Sequence, residues 1–410
     1  MSELPVIVEP IEEEEYSSDS SPSPDESGNN GGLVQIEPET EIKTVDESDL
    51  KDDETEYSSE TADLEELVPF KEAAKSKYYY NKLDDSQKEI YAQILYTLKN
   101  FENNVEVNSL DISELDRIFR YVVYDFPEIF YVEGCSYVKY EMGGELFKIT
   151  ISGMYTYTQE QAQAFKPAIE EYKKAFEAYL NSNYPGSTDS YDIIKAAYEF
   201  IILNTEYEEN SPDNQNIISV ICNGKSVCLG ISKTFKLLMD SFGIESAVIG
   251  GKEASAGGHA WNLVRSNADY YYVDVTWGGQ SYRVTNDNVD PAVLPKITYD
   301  YLLVDDAFLD KTHQKNEPEI LPNCTSSADN YYVREKLLFS GPDTGQLENA
   351  FGRAYAEGKE NLTIKMAGSE AYEQMKDYLL TQQHIFDYLQ GITSVTFIES
   401  PDIFTMTFWI

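Results

Sequence analysis

Three residues of the 410-residue chain have types and order suited to nucleophilic catalysis: Cys228, His259 and Asp274. A thiol nucleophile needs a base to hold its proton, and the base needs a group that fixes its tautomer. Cys228 opens a predicted helix. After Ser226 the apolar residues Val227, Ile231, Phe235, Leu238 and Met239 recur at helical spacing, and Gly243 supplies the stop. A thiol in the first helical turn feels the positive end of the macrodipole, which favours the thiolate. Gly224 and Gly230 allow close approach of backbone or substrate, and Lys225 adds a cation. Taken singly, Cys228 also reads as a small buried hydrophobe, the usual fate of a free cysteine.

His259 opens the strand-like run HAWNLVR, and Asp274 lies 15 residues on, in YYYVDVTW. The intervening SNAD reads as a hairpin loop. Pairing Arg265 with Tyr270 makes the numbers of opposed residues sum to 535. His259 and Asp274 then share a face as diagonal neighbours, within reach of each other's side chains. A slip of one residue would put them on opposite faces. The plain alternative is a core histidine beside an unrelated acid. The three residues together outweigh that alternative, since the chain holds only three histidines: His259, His313 and His384.

The elements that must position these groups are legible from periodicity. Helices are expected near 86–101, 112–124 (with Ser113 as cap), 159–180 and 190–205, and strands near 136–141 and 145–152 around the Gly143-Gly144 turn. Strand-like runs at 246–251, 259–265 and 270–277 follow the Cys228 helix. The C-terminal part reads as strand 362–365, helix 370–380, a short apolar segment 384–389, and strands 394–398 and 403–409. The chain divides into an acidic disordered leader (1–66), an N-terminal α+β accessory module (67–185), a catalytic domain (186–335) and a small C-terminal α/β domain (336–410).

Composition narrows the function. The formal net charge is −42, from 73 acidic against 31 basic residues. Binding to nucleic acid or anionic lipid needs cations, so neither is expected as a partner. Residues 1–66 carry 23 acids against Lys43 and Lys51, half of the net charge, and too little apolar surface to offset ordering. Such a spacer suits a cell-surface tether whose signal is not part of this chain; a cytoplasmic protein is the alternative. No apolar run is long enough for a transmembrane segment. Four cysteines without a CxxC pair give neither a disulfide framework nor a zinc cluster. No metal and no cofactor are expected, and Asp305-Asp306 lacks the ligand spacing of a calcium loop.

The segments GKSVCLGIS, GGHAWNLV and YYYVDVTWGG resemble the three motifs of the transglutaminase-like superfamily, in its bacterial, clostridial-type branch with a papain-like core. The Cys–His–Asp order and the spacings of 31 and 15 residues fit that family, and TYDYLLVDDAFLDKTH resembles the tail of its bacterial members. The resemblance covers roughly residues 190–335. It departs at Gly230-Ile231-Ser232, where members often show Gly-Tyr-Ala. It implies an α+β fold with the papain-like core between two accessory modules. It also implies Cys228 as nucleophile, His259 as general base and Asp274 as orienting acid. The Cys228 backbone N–H and the Gln215 amide would bind the oxyanion, and Trp261 and Trp277 would wall an acyl channel, with core packing as their equal alternative.

The activity so implied is a cysteine hydrolase, a peptidase or amidase acting through a thioester on protein or peptide substrates, with cell-wall stem peptides as one candidate. A cross-linking acyltransferase is the first alternative, and a non-catalytic surface binding protein that keeps the fold is the second. His313 matches a tail histidine of the family and is expected to shape the domain or the cleft rim, outside the triad. Cys222, on the segment before the Cys228 helix, is expected to be buried. The YYY runs at 78–80 and 270–272 are read as packing.

Overall fold

The computed structural model describes residues 6–7, 38–45, 62, 64–253, 257–282, 294–391 and 393–410. Most of the acidic leader lies outside the described residues. Of its described parts, Val6–Ile7 pairs in parallel with Ser394–Val395, and β1 (Glu39–Thr44) adds in parallel to the edge of the N-terminal sheet. That strand stays on the surface, with Ile42 60% exposed, while Val45 just after it is buried.

The N-terminal region holds α1 (Leu64–Ala74), α2 (Asp85–Asn100) and α3 (Ile112–Asp125), packed on strands β2 (Val105–Glu106), β3 (Val132–Met142) and β4 (Glu145–Tyr155) in the order β1-β3-β4-β2. Asp84 and Gln87 form a capping box on α2. The cap of α3 is Asp111, whose carboxylate accepts the Ser113 N–H, rather than Ser113 itself. The β3–β4 turn uses Gly143 and Gly144 at positive φ. The single helix expected over 159–180 is two helices, Gln159–Ala164 and α4 (Lys166–Asn183). Pro167 explains the break: it has no N–H to continue a helix and suits the first turn of a new one.

The centre of the molecule is α5 (Ser190–Asn204), α6 (Cys228–Ser241) and a five-stranded antiparallel sheet. Its strands are β5 (Ser246–Glu253), β6 (Gly258–Ser266), β7 (Asp269–Val273), β8 (Leu302–Val304) and β9 (His313–Lys315), in the order β8-β7-β6-β5-β9. The C-terminal region adds β10 (Leu338–Phe339), α7 (Thr344–Ala356), β11 (Asn361–Met366), α8 (Ser369–Lys376), β12 (Phe397–Ser400) and β13 (Thr405–Trp409), with sheet order β10-β11-β13-β12.

Two apolar cores span these regions. One joins Tyr79, Tyr91, Ile118 and Tyr124 of the N-terminal region to Leu229, Val248 and Trp261 of the centre. The other joins Phe176, Ile194, Phe235 and Val273 to Phe339, Leu362 and Phe408. Burial of large side chains at roughly 1.5–3 kcal/mol each makes these seams the main source of cohesion. The seam nearest the site is also pinned by polar contacts: the Tyr79 hydroxyl donates to the Val248 carbonyl at 2.6 Å, and Lys77 pairs with Asp240 at 2.7 Å.

Candidate active site

The hairpin β6–β7 fixes two of the three groups. Tyr270 opposes Arg265 and Val273 opposes Asn262, so the register is the one that sums to 535. His259 and Asp274 accordingly meet, with His259 Nε2 2.7 Å from Asp274 Oδ2. Asp274 does not lie on a strand running through Trp277. β7 stops at Val273, because the Asp274 side chain turns to cap the short helix Val275–Gly278, its Oδ1 accepting the Trp277 N–H at 3.1 Å. One carboxylate oxygen is thus held by backbone while the other faces the imidazole.

Cys228 is brought up by α6, which lies across β5 and β6. The Ser232 hydroxyl donates to the Ala260 carbonyl at 3.0 Å, and the Asn262 amide donates back to the Ser232 carbonyl at 3.0 Å and to the Ala247 carbonyl at 3.3 Å. Asn262 of the HAWN run therefore acts as a clamp that sets helix height against the histidine strand. Cys228 lies close enough to His259 to act on it, being among the groups that raise the imidazole's pKa. The thiol, imidazole and carboxylate are all buried, at 1, 2 and 1% exposure.

The electrostatics of the pair run in one direction. Burial alone would push the His259 pKa down, but the charge and hydrogen bond of Asp274, with the contact to Cys228, hold it well above its ordinary value. Burial alone would push the Asp274 carboxyl up, but the imidazoles of His259 and His313 hold it well below the usual carboxylate range. An imidazolium–carboxylate pair is the state this enclosure favours.

Gln215 stands beside the first turn of α6. The loop around it packs directly on the helix: the Asn214 carbonyl accepts the Val227 N–H and the Ser226 hydroxyl. Gly230 makes that approach possible, since a Cβ there would lie 2.7 Å from the Asn214 carbonyl and 2.8 Å from that of Asn216. Gln215 Oε1 is buried without a hydrogen-bond partner. Lys225, three residues before the thiol, is exposed and turns to Glu206 at 3.5 Å.

Trp261 is fully buried and stacks against His259 with ring centroids 5.8 Å apart, while Trp277 is partly exposed, 6.0 Å from His259. Tyr282 lies 6.1 Å from Trp277 and 5.0 Å from Tyr207. Tyr207 in turn lines a cleft of about 650 Å³ with Thr205, Gly224, Lys225, Gln280 and Ser281. An aromatic path so connects the imidazole to the cleft.

Two placements differ from the sequence expectations. Cys222, expected to be buried, is exposed, because the segment Ser219–Asn223 forms a π-helical turn that points it outward. His313, expected to shape the domain or the cleft rim, is buried in the site itself, its Nε2 3.0 Å from the same Asp274 Oδ2 that His259 uses. No local signal marks that contact, since His313 reaches Asp274 from the far edge strand β9. His259, Asp274 and His313 offer the donor types of a metal site, their ligand atoms within 4.8 Å of one another. The 2.7 and 3.0 Å nitrogen–oxygen separations are those of hydrogen bonds, with a proton between each imidazole and the carboxylate.

Residues 177–275 match the model of the transglutaminase-like superfamily. No curated protein sequence matches the chain. Among solved structures, similar chains include a TGase at 15% identity (TM-score 0.26, over 35% of this chain and 50% of that one). Another is a candidate cysteine protease from Cytophaga hutchinsonii at 12% (TM-score 0.22, over 35% of this chain and 65% of that one). A third is a candidate protease from Parabacteroides distasonis at 10% (TM-score 0.20, over 34% and 39%). The chain thus spans less than two thirds of each of these three structures. Among the described residues no helix is long and apolar enough to cross a membrane.

Proposed function

We propose, on the premise that residues 177–275 belong to the transglutaminase-like superfamily, that this protein is a thiol enzyme in which Cys228 is the nucleophile, His259 the general base and Asp274 the group that orients it. The observation that carries this reading is one buried imidazole held at 2.7 Å by a buried carboxylate, with Cys228 among the groups that raise its pKa. The Cys228 sulfur attacks the carbonyl carbon of an amide while His259 holds the thiol proton. The oxyanion is met by the Cys228 backbone N–H at the start of α6 and by the Gln215 amide, whose position beside that turn supports the role. His259 then protonates the leaving amine, the carbon–nitrogen bond breaks, and a thioester remains. Water resolves it in a peptidase or amidase; a primary amine resolves it in a cross-linking enzyme.

We favour hydrolysis of protein or peptide substrates, with cell-wall stem peptides as a candidate class. The cleft beside Tyr207 is where we place the acyl donor, and Trp277, on the aromatic path from that cleft, is the wall of its approach. The acidic leader supports a place at the cell surface; recovery of the natural protein in the cytosolic fraction would contradict that placement.

The test is turnover of a glutaminyl and amide peptide library by wild type and Cys228→Ala, with and without a dansylated alkylamine. Amide cleavage that the amine does not divert, absent in the variant, is the expected result. Incorporation of the amine instead would make the enzyme a transferase. Equal behaviour of the two proteins would move the non-catalytic binding reading ahead.

A further inference from the structure

His313 is the buried titratable group that the mechanism above does not use. Its side chain has no exposed surface, and it sits between the rings of Trp261 and Trp277, at 4.8 and 4.7 Å. Its Nε2 lies 3.0 Å from Asp274 Oδ2, and its Nδ1 lies 2.8 Å from the Thr312 hydroxyl oxygen. That hydroxyl is in turn 3.1 Å from the Tyr301 hydroxyl. Asp274 is ionised and only accepts, so His313 must donate its Nε2–H. Its Nδ1 shares a second hydrogen bond with the Thr312 hydroxyl, which also reaches the Leu309 carbonyl at 3.4 Å and the Tyr301 hydroxyl.

We propose that His313 is a positioning residue for the catalytic pair, sharing the Asp274 Oδ2 acceptor with His259 at the end of a chain of hydrogen-bonded groups formed by Tyr301, Thr312 and His313. With the Trp277 N–H on Oδ1, the carboxylate then has both oxygens tied and one rotamer, and His259 meets it in a single orientation. The fold has a place prepared for this neighbour. A Cβ on Gly251 would lie 2.2 Å from the Gln314 carbonyl and 2.4 Å from the Trp261 ring, so this glycine lets β9 and Trp261 close on β5 where His313 enters. The assignment rests on the thiol-enzyme reading only for its kinetic consequence; the chain itself stands on the distances.

Two measurements test it. The first is the pH profile of Cys228 alkylation by iodoacetamide in wild type, His313→Leu, His313→Gln and Thr312→Val. The leucine variant should lose roughly tenfold in rate or more, the cost of letting a reacting group drift by a fraction of an ångström. Its alkaline limb should also rise by about one pH unit, because Asp274 no longer divides its charge between two imidazoles. Glutamine, whose amide reaches the Nε2 position with a donor, should restore most of both, and Thr312→Val should fall between. Identical profiles for all four proteins would overturn the positioning role.

The second measurement is a ¹⁵N-histidine spectrum of the wild type, which needs no variant to fold and has only three residues to assign. A His313 protonated at Nε2 is expected; a bare Nε2 would overturn the chain. If wild-type Cys228 reacts no faster than Cys222, the thiol-enzyme reading fails by itself, and the histidine spectrum still decides the assignment.

Discussion

Two aspartates lie buried about the helix α6, and their chemistry is opposite. Asp274 is held by two imidazoles, and its carboxyl stays well below the usual range despite complete burial. Asp125, the last residue of α3, accepts the Tyr79 and Tyr80 N–H groups at 3.3 and 3.1 Å and the Tyr91 hydroxyl at 3.0 Å. Burial pushes its carboxyl up to about 6, against the lowering effect of Lys236 and of those three donors. The difference lies in the donors. Peptide N–H and phenol groups satisfy a carboxylate without a neutralising charge, so the cost of a buried anion shows as a raised pKa. Imidazoles can carry the opposite charge, so the anion is kept and the proton stays on the base. Burial and full hydrogen bonding alone do not set a carboxylate's chemistry: Asp125 is a staple between the YYY run and α3, and Asp274 is the anion that holds two imidazoles, the role proposed for it being to orient His259.

The largest expected break in this contrast is Asp274→Asn. The amide keeps the shape but cannot hold the imidazolium, and loss of the orienting carboxylate in a triad costs about 10⁴ in rate. Turnover or Cys228 alkylation should fall on that scale, with a small change in melting temperature. Asp125→Ala should do the reverse. It leaves two N–H groups and a phenol unpaired, at about 1–3 kcal/mol for each buried group, so several kcal/mol of stability should be lost in urea titration while the folded fraction alkylates normally.

A finer test uses pH. The folded-state value of Asp125, about 6, lies above its unfolded value of 3.8. Its contribution to stability is therefore fully present below about pH 4 and lost as pH rises through 6, at most about 3 kcal/mol. Asp125→Asn should lack that window, so its stability deficit against wild type should narrow between about pH 4 and 7. The smallest effect is expected from Trp277→Phe. The Trp277 indole N–H has no partner, and a phenyl ring preserves the stacking on His313. We expect less than about 1 kcal/mol in stability from so similar an apolar replacement and a rate change too small to mistake for the Asp274 result.

What the sequence made legible follows the range of the interaction. The His259–Asp274 contact was readable because a hairpin register is set locally by the SNAD turn and by alternation over a few residues. The helix stop at Gly243, at φ +66°, was readable for the same reason. Asp274 as a helix cap was not, because aspartate in a run of β-branched and aromatic residues looks like strand until its side chain is seen to take the Trp277 N–H. The contact of His313 with Asp274 is not legible in the sequence because it depends on β9 pairing with β5 (His313 opposite Glu253), a contact set by the whole sheet. The tyrosines at 78–80 were read as packing, but two of them also present their backbone N–H groups to Asp125, which no pattern of side chains reveals.

The central claim, that the α6 thiol and the β6 imidazole form a reactive pair, is tested most directly by the alkylation rate of all four cysteines near pH 6, read by peptide mass spectrometry. Accessibility and activation make opposite rankings here. Cys222 is the exposed thiol, and Cys228 is 1% exposed. Burial pushes Cys135 and Cys324 up to about 12, and it raises Cys222 as well. Fast labelling of Cys228 ahead of Cys222, abolished by His259→Ala, is the predicted result. Labelling of Cys222 first, with Cys228 indifferent to the loss of His259, would contradict it.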